Sequence, residues 1–431
     1  MSEKPLSVAV AGLGTVGAGL LKLLHDHADV IAERAGRRIE VVAVSARDRK
    51  KDRGVPLDRF AWFDNPVELA RTAPADVVVE LIGGSTGVAV ELAEAAIVAK
   101  RHLVTANKAL LAERGAQLAA DAERVGVALG IEAAVAGGIP ILKALREGLA
   151  GNRISQIYGI LNGTCNYILS TMRVSGREFA TVLAEAQALG YAEADPGLDI
   201  DGHDASHKLA ILASLAFGTR VAHDQVHVEG IRHVSALDIR FAEELGYRIK
   251  LLAIARRNDG GIEQRVHACM VPLTSPIAHV DGVFNAVVAE GDFVGRTVFE
   301  GRGAGAGPTA SSVAADLIDI AAGRRGPAFG VAASKLRQLR PAPMAARRGG
   351  YYVRLMVRDL PGVFADVAAA LRDERVSMEA VLQRARAPGE SVPVVMTIHD
   401  TEEAAMMRAI DRIARIGTVV EPPRVIRIEA F

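Results

Sequence analysis

The sequence predicts an α/β protein in three parts: a doubly wound parallel sheet at the N-terminus, a mixed α/β domain after it, and a small ferredoxin-like domain at the C-terminus. Three observations carry this reading. A β-branched run beginning at residue 7 meets a glycine-rich turn and continues into the helical spacing of Leu20, Leu21, Leu23 and Leu24. Short apolar runs then alternate with alanine-rich helical stretches. Residues 351–431 order their runs as β-α-β-β-α-β.

The buried-strand candidates of the first part are 39–44 (IEVVAV), 76–82, 102–105 (HLVT) and 127–131, a βαβ rhythm over residues 1–136. From GGIPI at 137–141 to residue 322 the pattern is mixed. Helices are expected near 140–150, 178–189 and 203–217, and strands near 154–161, 249–255 and 263–270. A helix over 308–322 follows a second glycine-rich loop and is a candidate to pack back on the first part. Residues 323–350 carry seven basic and no acidic residues, with Phe329 as the only aromatic, and read as a solvated linker. On that reading the first 345 residues fold without the C-terminal domain.

Half of the residues are apolar, so a sizeable core is available. Lysine plus arginine equal aspartate plus glutamate at 51 each, which removes the net charge that favours nucleic acid or anionic lipid and points to a small-molecule substrate. Cys165 and Cys269 form no CxxC pair, which argues against a disulfide framework or thiolate zinc site. With no signal h-region and no apolar span of membrane length, a cytoplasmic protein is expected.

The segment AGLGTVG sets Gly12, Gly14 and Gly17 in the GxGxxG spacing between strand and helix, the arrangement that cradles a dinucleotide pyrophosphate in a Rossmann fold. Beyond the second strand stands Arg47 where an acidic residue would favour NAD. A guanidinium suits a 2′-phosphate, which favours NADP and leaves NAD open, while a solvated charge run is the plainer reading.

Residues 190–208 crowd Glu193, Asp195, Asp199, Asp201 and Asp204 ahead of Lys208. The spacing is not that of a calcium loop, which leaves a solvated cap or a site that binds an ammonium group and moves a proton. Asp204 and Lys208, four apart on a helix, project from one turn. A lysine so oriented can neutralise the oxyanion left when hydride reaches an aldehyde. Lys108, in VTANKAL, follows a strand at the carboxyl end where such sheets bind ligands.

LNGTCNYIL at 161–169, GYAEADPGLDIDGHDASHKLAIL at 190–212 and EGRGAGAGPTASSVAADL at 300–317 strongly resemble the homoserine dehydrogenase family, from the glycine-rich turn to about residue 322. The resemblance implies reversible reduction of aspartate 4-semialdehyde on a Rossmann domain joined to a dimerising substrate domain, in a homodimer or homotetramer. It implies Lys208 as proton donor, Lys108 as a second active-site lysine, and Glu193, Asp204 and Asp199 as substrate carboxylates. It also implies Thr15, Val16, Gly190 and Gly303 as cofactor contacts beside the glycines. IEAAVAGGIPI resembles the family's monovalent cation site, which implies a sodium ion with Glu132 and the carbonyls of Val135, Gly137 and Ile139 as ligands. One departure is Cys165, where many members have threonine.

VRDLPGVFADVAAAL at 357–371 resembles the ACT family, whose strand-to-helix turn at Asp359, Pro361 and Gly362 implies an amino-acid effector, with threonine the natural candidate. Two alternatives compete with the enzyme reading. A thiolate-using semialdehyde dehydrogenase would need Cys165 as nucleophile, yet no general base flanks it. A nonenzymatic NADPH sensor has no use for Lys208.

Overall fold

The computed structural model describes residues 4–258, 261–384 and 390–431. Its first sheet comprises β1 (Leu6–Ala11), β2 (Ile39–Ser45), β3 (Ala61–Phe63), β4 (Val77–Glu80), β5 (His102–Thr105) and β6 (Leu129–Gly130). All are parallel, in the order β3-β2-β1-β4-β5-β6. The strands are nearly continuous in valine, alanine and leucine because helices cover both faces. The order reverses between β1 and β4, and this opens a crevice at the strands' carboxyl ends. Only β3 escapes the sequence reading, being three residues long at the edge.

Four helices matter to the crevice: α1 (Thr15–Asp26), α2 (Lys108–Val125), α3 (Gly163–Ser175) and α4 (His203–Phe217). A fifth, α5 (Ala306–Ala321), returns to the first sheet as expected. Its Ala310, Val313 and Leu317 share a core with Leu20, Leu21, Val8 and Val10. Gly19 makes the approach possible, since a Cβ there would lie 2.8 Å from the Ala306 carbonyl oxygen.

The second sheet has ten strands: β7 (Ile154–Ile160), β8 (His227–Val228), β9 (Tyr247–Asn258), β10 (Gly261–Pro272), β11 (Phe284–Gly291), β12 (Gly295–Arg302), β13 (Arg348–Arg358), β14 (Met378–Leu382), β15 (Ser391–Glu402) and β16 (Arg424–Ile428). With α6 (Val363–Asp373) and α7 (Glu403–Ile413), β13–β16 form an antiparallel ferredoxin-like unit of order β16-β13-β15-β14. The hairpin β11–β12 and the helix α3 were not singled out as elements from sequence. β12 is an edge strand whose side chains are mostly exposed, so it shows no core-directed apolar run.

The structure corrects the expectation of a solvated linker before a separable domain. Phe329, Leu336 and Arg347 are buried, and the stretch bridges to Thr219 through Arg337 and to Ile262 through Pro341. β16 pairs in parallel with β10, so one sheet runs through both units. The junction is ionic and buried. Arg354 donates to Asp238 at 2.7 Å and the Tyr352 hydroxyl to the same oxygen at 3.0 Å. Glu429 accepts from Arg265 at 3.1 Å and from Arg347 at 2.9 Å, while Arg427 joins Glu403 to Glu229. Composition misled because these guanidiniums find carboxylates far away in sequence.

One buried and two half-buried histidines give the fold an acid limit. Burial lowers His102 and His207 to about 4 and His267 to about 3, from an ordinary value of 6.5. The unfolded chain therefore binds these protons first as pH falls. Their contribution to stability is full above the unfolded value and is lost between it and the folded values. Urea unfolding at about pH 5 should show a stability lower by about 1 kcal/mol or more than at about pH 7. Equal midpoints and slopes at the two would contradict this.

Candidate active site

The glycine-rich turn after β1 is shaped by contacts that only glycine allows. Gly12 has φ +100°, and a Cβ there would lie 2.4 Å from the Leu81 carbonyl oxygen. A Cβ on Gly17 would lie 2.1 Å from the Gly12 carbonyl oxygen, so helix and strand could not close. Gly14 faces open space. It is also the N-cap of α1 and makes no side-chain cap, leaving the first-turn N–H groups around Thr15 and Val16 available to a phosphate. These residues fit a dinucleotide.

From this turn a cavity of about 670 Å³ extends to the substrate-domain side. Val16, Lys108, Gly137, Gly190, Asp199, Asp204, Lys208 and Gly303 all line it, so segments spread across most of the chain converge as the sequence suggested. Of the glycine turn itself only Val16 reaches the lining, and among the predicted catalytic, substrate and cofactor residues beyond that turn two are not brought there. Glu193 is exposed on the turn after Gly190, and Arg47 is exposed beyond β2. Neither lines the cavity.

At the cavity's floor Asp204 joins the two lysines. Lys208 Nζ donates to Asp204 Oδ2 and to the Leu161 carbonyl, both at 2.7 Å. Lys108 Nζ lies 3.1 Å from Asp204 Oδ1. Burial opposes ionisation of Asp204, but the Lys208 and Lys108 charges outweigh it and hold its carboxyl far below the usual range. Asp199 shifts the other way, raised by burial and by the Asp204 charge. One carboxylate thus stays ionised between two ammonium groups while its neighbour holds a proton more readily.

Sequence reasoning missed the residues that orient this cluster. Asn162 donates to Asp199 Oδ1 at 2.8 Å and Asp204 Oδ2 at 2.9 Å, while its Oδ1 caps α3 at the Cys165 N–H. The signal was present in the LNG sequence as an asparagine before a helix start. Asn107 likewise caps α2 through Leu110 N–H, fixing Lys108 in the first turn. Glu80, buried at the end of β4, accepts from Ile82 N–H, Gly83 N–H and the Thr105 hydroxyl, which ties the crevice loops together. Arg53 donates to the Leu13 carbonyl at 2.9 Å and secures the segment after Arg47 to the glycine turn.

Cys165 is buried, and burial with the nearby Asp199 charge raises its thiol well above the ordinary range. It is a packed thiol donating toward the Asp199 carbonyl at 3.2 Å, which removes the thiolate alternative.

The candidate cation ligands lie on the turn between β6 and the helical stretch starting at Ile141. Both Glu132 oxygens accept backbone N–H groups, from Leu142 at 3.0 Å and Lys143 at 2.7 Å. Burial, with the neighbouring Asp316 charge, pushes this carboxyl up to about 7. The Gly137 carbonyl accepts from Ser312 at 2.5 Å and that of Ile139 from Ile141 at 2.7 Å, each retaining a lone pair. Among the described residues no group of three or more His, Cys, Asp or Glu side chains could hold a metal. A cation here would rest on one carboxylate and carbonyls, a donor set that fits a hard monovalent ion.

A nucleotide-binding turn facing a buried lysine–carboxylate cluster across one cavity defines an NAD(P)-dependent oxidoreductase. The family model described as homoserine dehydrogenase, NAD binding domain, matches residues 12–132, and that described as homoserine dehydrogenase matches 140–318. Homoserine dehydrogenases of Neisseria gonorrhoeae and Pseudomonas aeruginosa are each 46% identical over 99% of both chains. The crystal structure of a homoserine dehydrogenase from Thiobacillus denitrificans superposes with a TM-score of 0.93 at 45% identity, covering 99% of this chain and 98% of that one. The chain belongs to the homoserine dehydrogenase family and is an oxidoreductase. Among the described residues no helix is long and apolar enough to cross a membrane.

Proposed function

We propose that the chain interconverts L-aspartate 4-semialdehyde and L-homoserine, with NADP preferred over NAD, as a step toward threonine, methionine and isoleucine. The observation that carries this is the Lys208–Asp204–Lys108 bridge in a cavity shared with the glycine turn. The bound dinucleotide supplies the hydride for reduction. Lys208 gives its proton to the oxygen of the reduced carbonyl and takes it back in the oxidative direction. Asp204 holds that ammonium in place, and Lys108 adds positive charge where oxygen becomes anionic. Asp199 and Asp204 form the acidic wall that receives the substrate ammonium. Glu193 joins them if the turn after Gly190 folds inward.

Glu132 with the carbonyls of Val135, Gly137 and Ile139 would hold a sodium-like ion, which supplies countercharge to a buried carboxylate beside the cavity. A homodimer or homotetramer fits the exposed edge strand β12, beside which Phe293 stands 90% exposed. The β13–β16 unit is read as an ACT domain that binds threonine at the exposed turn Asp359–Gly362, where Gly362 takes φ +96°. A contact route to the site supports regulation. Arg427 grips Glu229, and the adjoining Gly230 is packed so closely on Ile200, next to Asp199, that a Cβ there would lie 2.1 Å from the Ile200 carbonyl oxygen.

Turnover of homoserine with NADP or NAD, followed by nicotinamide absorbance, tests the assignment. No turnover with either cofactor would reject it, and a nonenzymatic NADPH sensor would then remain. For cofactor choice, Arg47→Ala should weaken NADPH several-fold more than NADH, because only NADPH carries the 2′-phosphate. Equal losses would leave Arg47 a surface residue.

A further inference from the structure

Three asparagines line the cavity: Asn107, Asn162 and Asn285. The first two spend their amides on helix caps and neighbouring acceptors. Asn285 does not. It is 1% exposed on β11, and neither its Oδ1 nor its Nδ2 has a hydrogen-bond partner. A buried carboxamide with both ends unpaired is costly, and native folds retain one mainly where something else completes it.

The surroundings narrow what that could be. The Asn285 amide lies against Gly303, where an added Cβ would fall 2.1 Å from Nδ2, and its Oδ1 would lie 3.6 Å from a Cβ on Gly163. Gly303 belongs to the glycine-rich turn that opens α5, and Gly163 begins α3 beside Asn162. Asn285 therefore stands where the cofactor side of the cavity meets the lysine–carboxylate side. Charged ends of an amino-acid substrate are served there by charged groups. A neutral planar amide, offering a donor NH2 group and an acceptor carbonyl side by side, instead complements another primary amide.

We propose that Asn285 is the residue that binds the carboxamide of the nicotinamide ring, pairing N–H to carbonyl in both directions and fixing the ring face turned toward Lys208. This deepens the proposed function by assigning a cofactor-orienting residue within the same cavity. Gly303 closes over the amide, and the glycine stretch around it must shift to admit the ring.

The test uses NADP and its 3-acetylpyridine analogue, in which a methyl ketone replaces the carboxamide and the N–H donor is lost. Calorimetric titration of the intact chain, without homoserine, should show the analogue bound about tenfold more weakly, the effect of one hydrogen bond in a buried site. In Asn285→Ala, and in the nearly isosteric Asn285→Leu, that preference should fall to about one. A residue that merely packs would lower affinity for both cofactors and leave their ratio unchanged, and that result overturns the proposal. Equal affinity of the wild type for the two also overturns it, so the test stands even if neither variant folds. Because binding is read without substrate, discrimination that is present in the wild type and lost in the Asn285 variants, without turnover of homoserine, would keep Asn285 and reject only the substrate.

Discussion

Lys208→Ala should lower kcat by about a hundredfold or more, the usual loss on removing a positioned general acid, while leaving cofactor affinity nearly unchanged. The geometry makes the effect specific. Lys208 Nζ sits on Asp204 and the Leu161 carbonyl at the cavity floor, away from the glycine turn that fits the dinucleotide. Removing it leaves Asp204 still paired with Lys108, so the buried carboxylate keeps a counter-ion and the fold is expected to survive. Steady-state kinetics with a parallel cofactor titration checks both halves. Near-normal kcat would show that another group moves the proton.

Ending the chain at residue 345 should cost stability and activity together. The truncated protein would lose Arg354 and Tyr352 from Asp238, and Glu429 from Arg265, leaving two buried charges stripped of these partners. Breaking one such pair costs about 3–5 kcal/mol, so a fall in Tm of roughly 10 °C or more is expected. β10 would also lose its neighbour β16, exposing a strand edge. Thermal unfolding and turnover of both forms, with and without threonine, decide the matter. A truncated form as stable and active as the intact chain would show that the shared sheet contributes nothing. If threonine inhibits the intact chain only, the effector acts through the C-terminal unit; inhibition of neither form rejects threonine.

The nucleotide half was legible because its signals are local. The spacing of Gly12, Gly14 and Gly17 carries backbone constraints that the Cβ distances at Gly12 and Gly17 reproduce, and buried parallel strands announce themselves as apolar runs. The pairing of Asp204 with Lys208 was legible because four residues on a helix make one face. Lys108 reached that cluster by topology alone, from the end of β5, which places it but not its 3.1 Å contact. What sequence could not give was long-range partnership. The basic stretch around Arg347 looks solvated until Glu429 is seen 82 residues away, and Asn285 is an ordinary strand residue until its amide is found without a partner. Arg47 and Glu193, proposed from pattern and resemblance, lie outside the cavity, and their roles rest on how exposed segments meet ligand.

The Lys208–Asp204–Lys108 bridge is proposed to perform the proton transfer of homoserine oxidation. Single-turnover absorbance with saturating NADP and homoserine tests it most directly, comparing the wild type with Lys208→Ala. Rapid NADPH formation is expected in the wild type and a rate lower by about a hundredfold or more in the variant, with cofactor still bound. Equal single-turnover rates would contradict it.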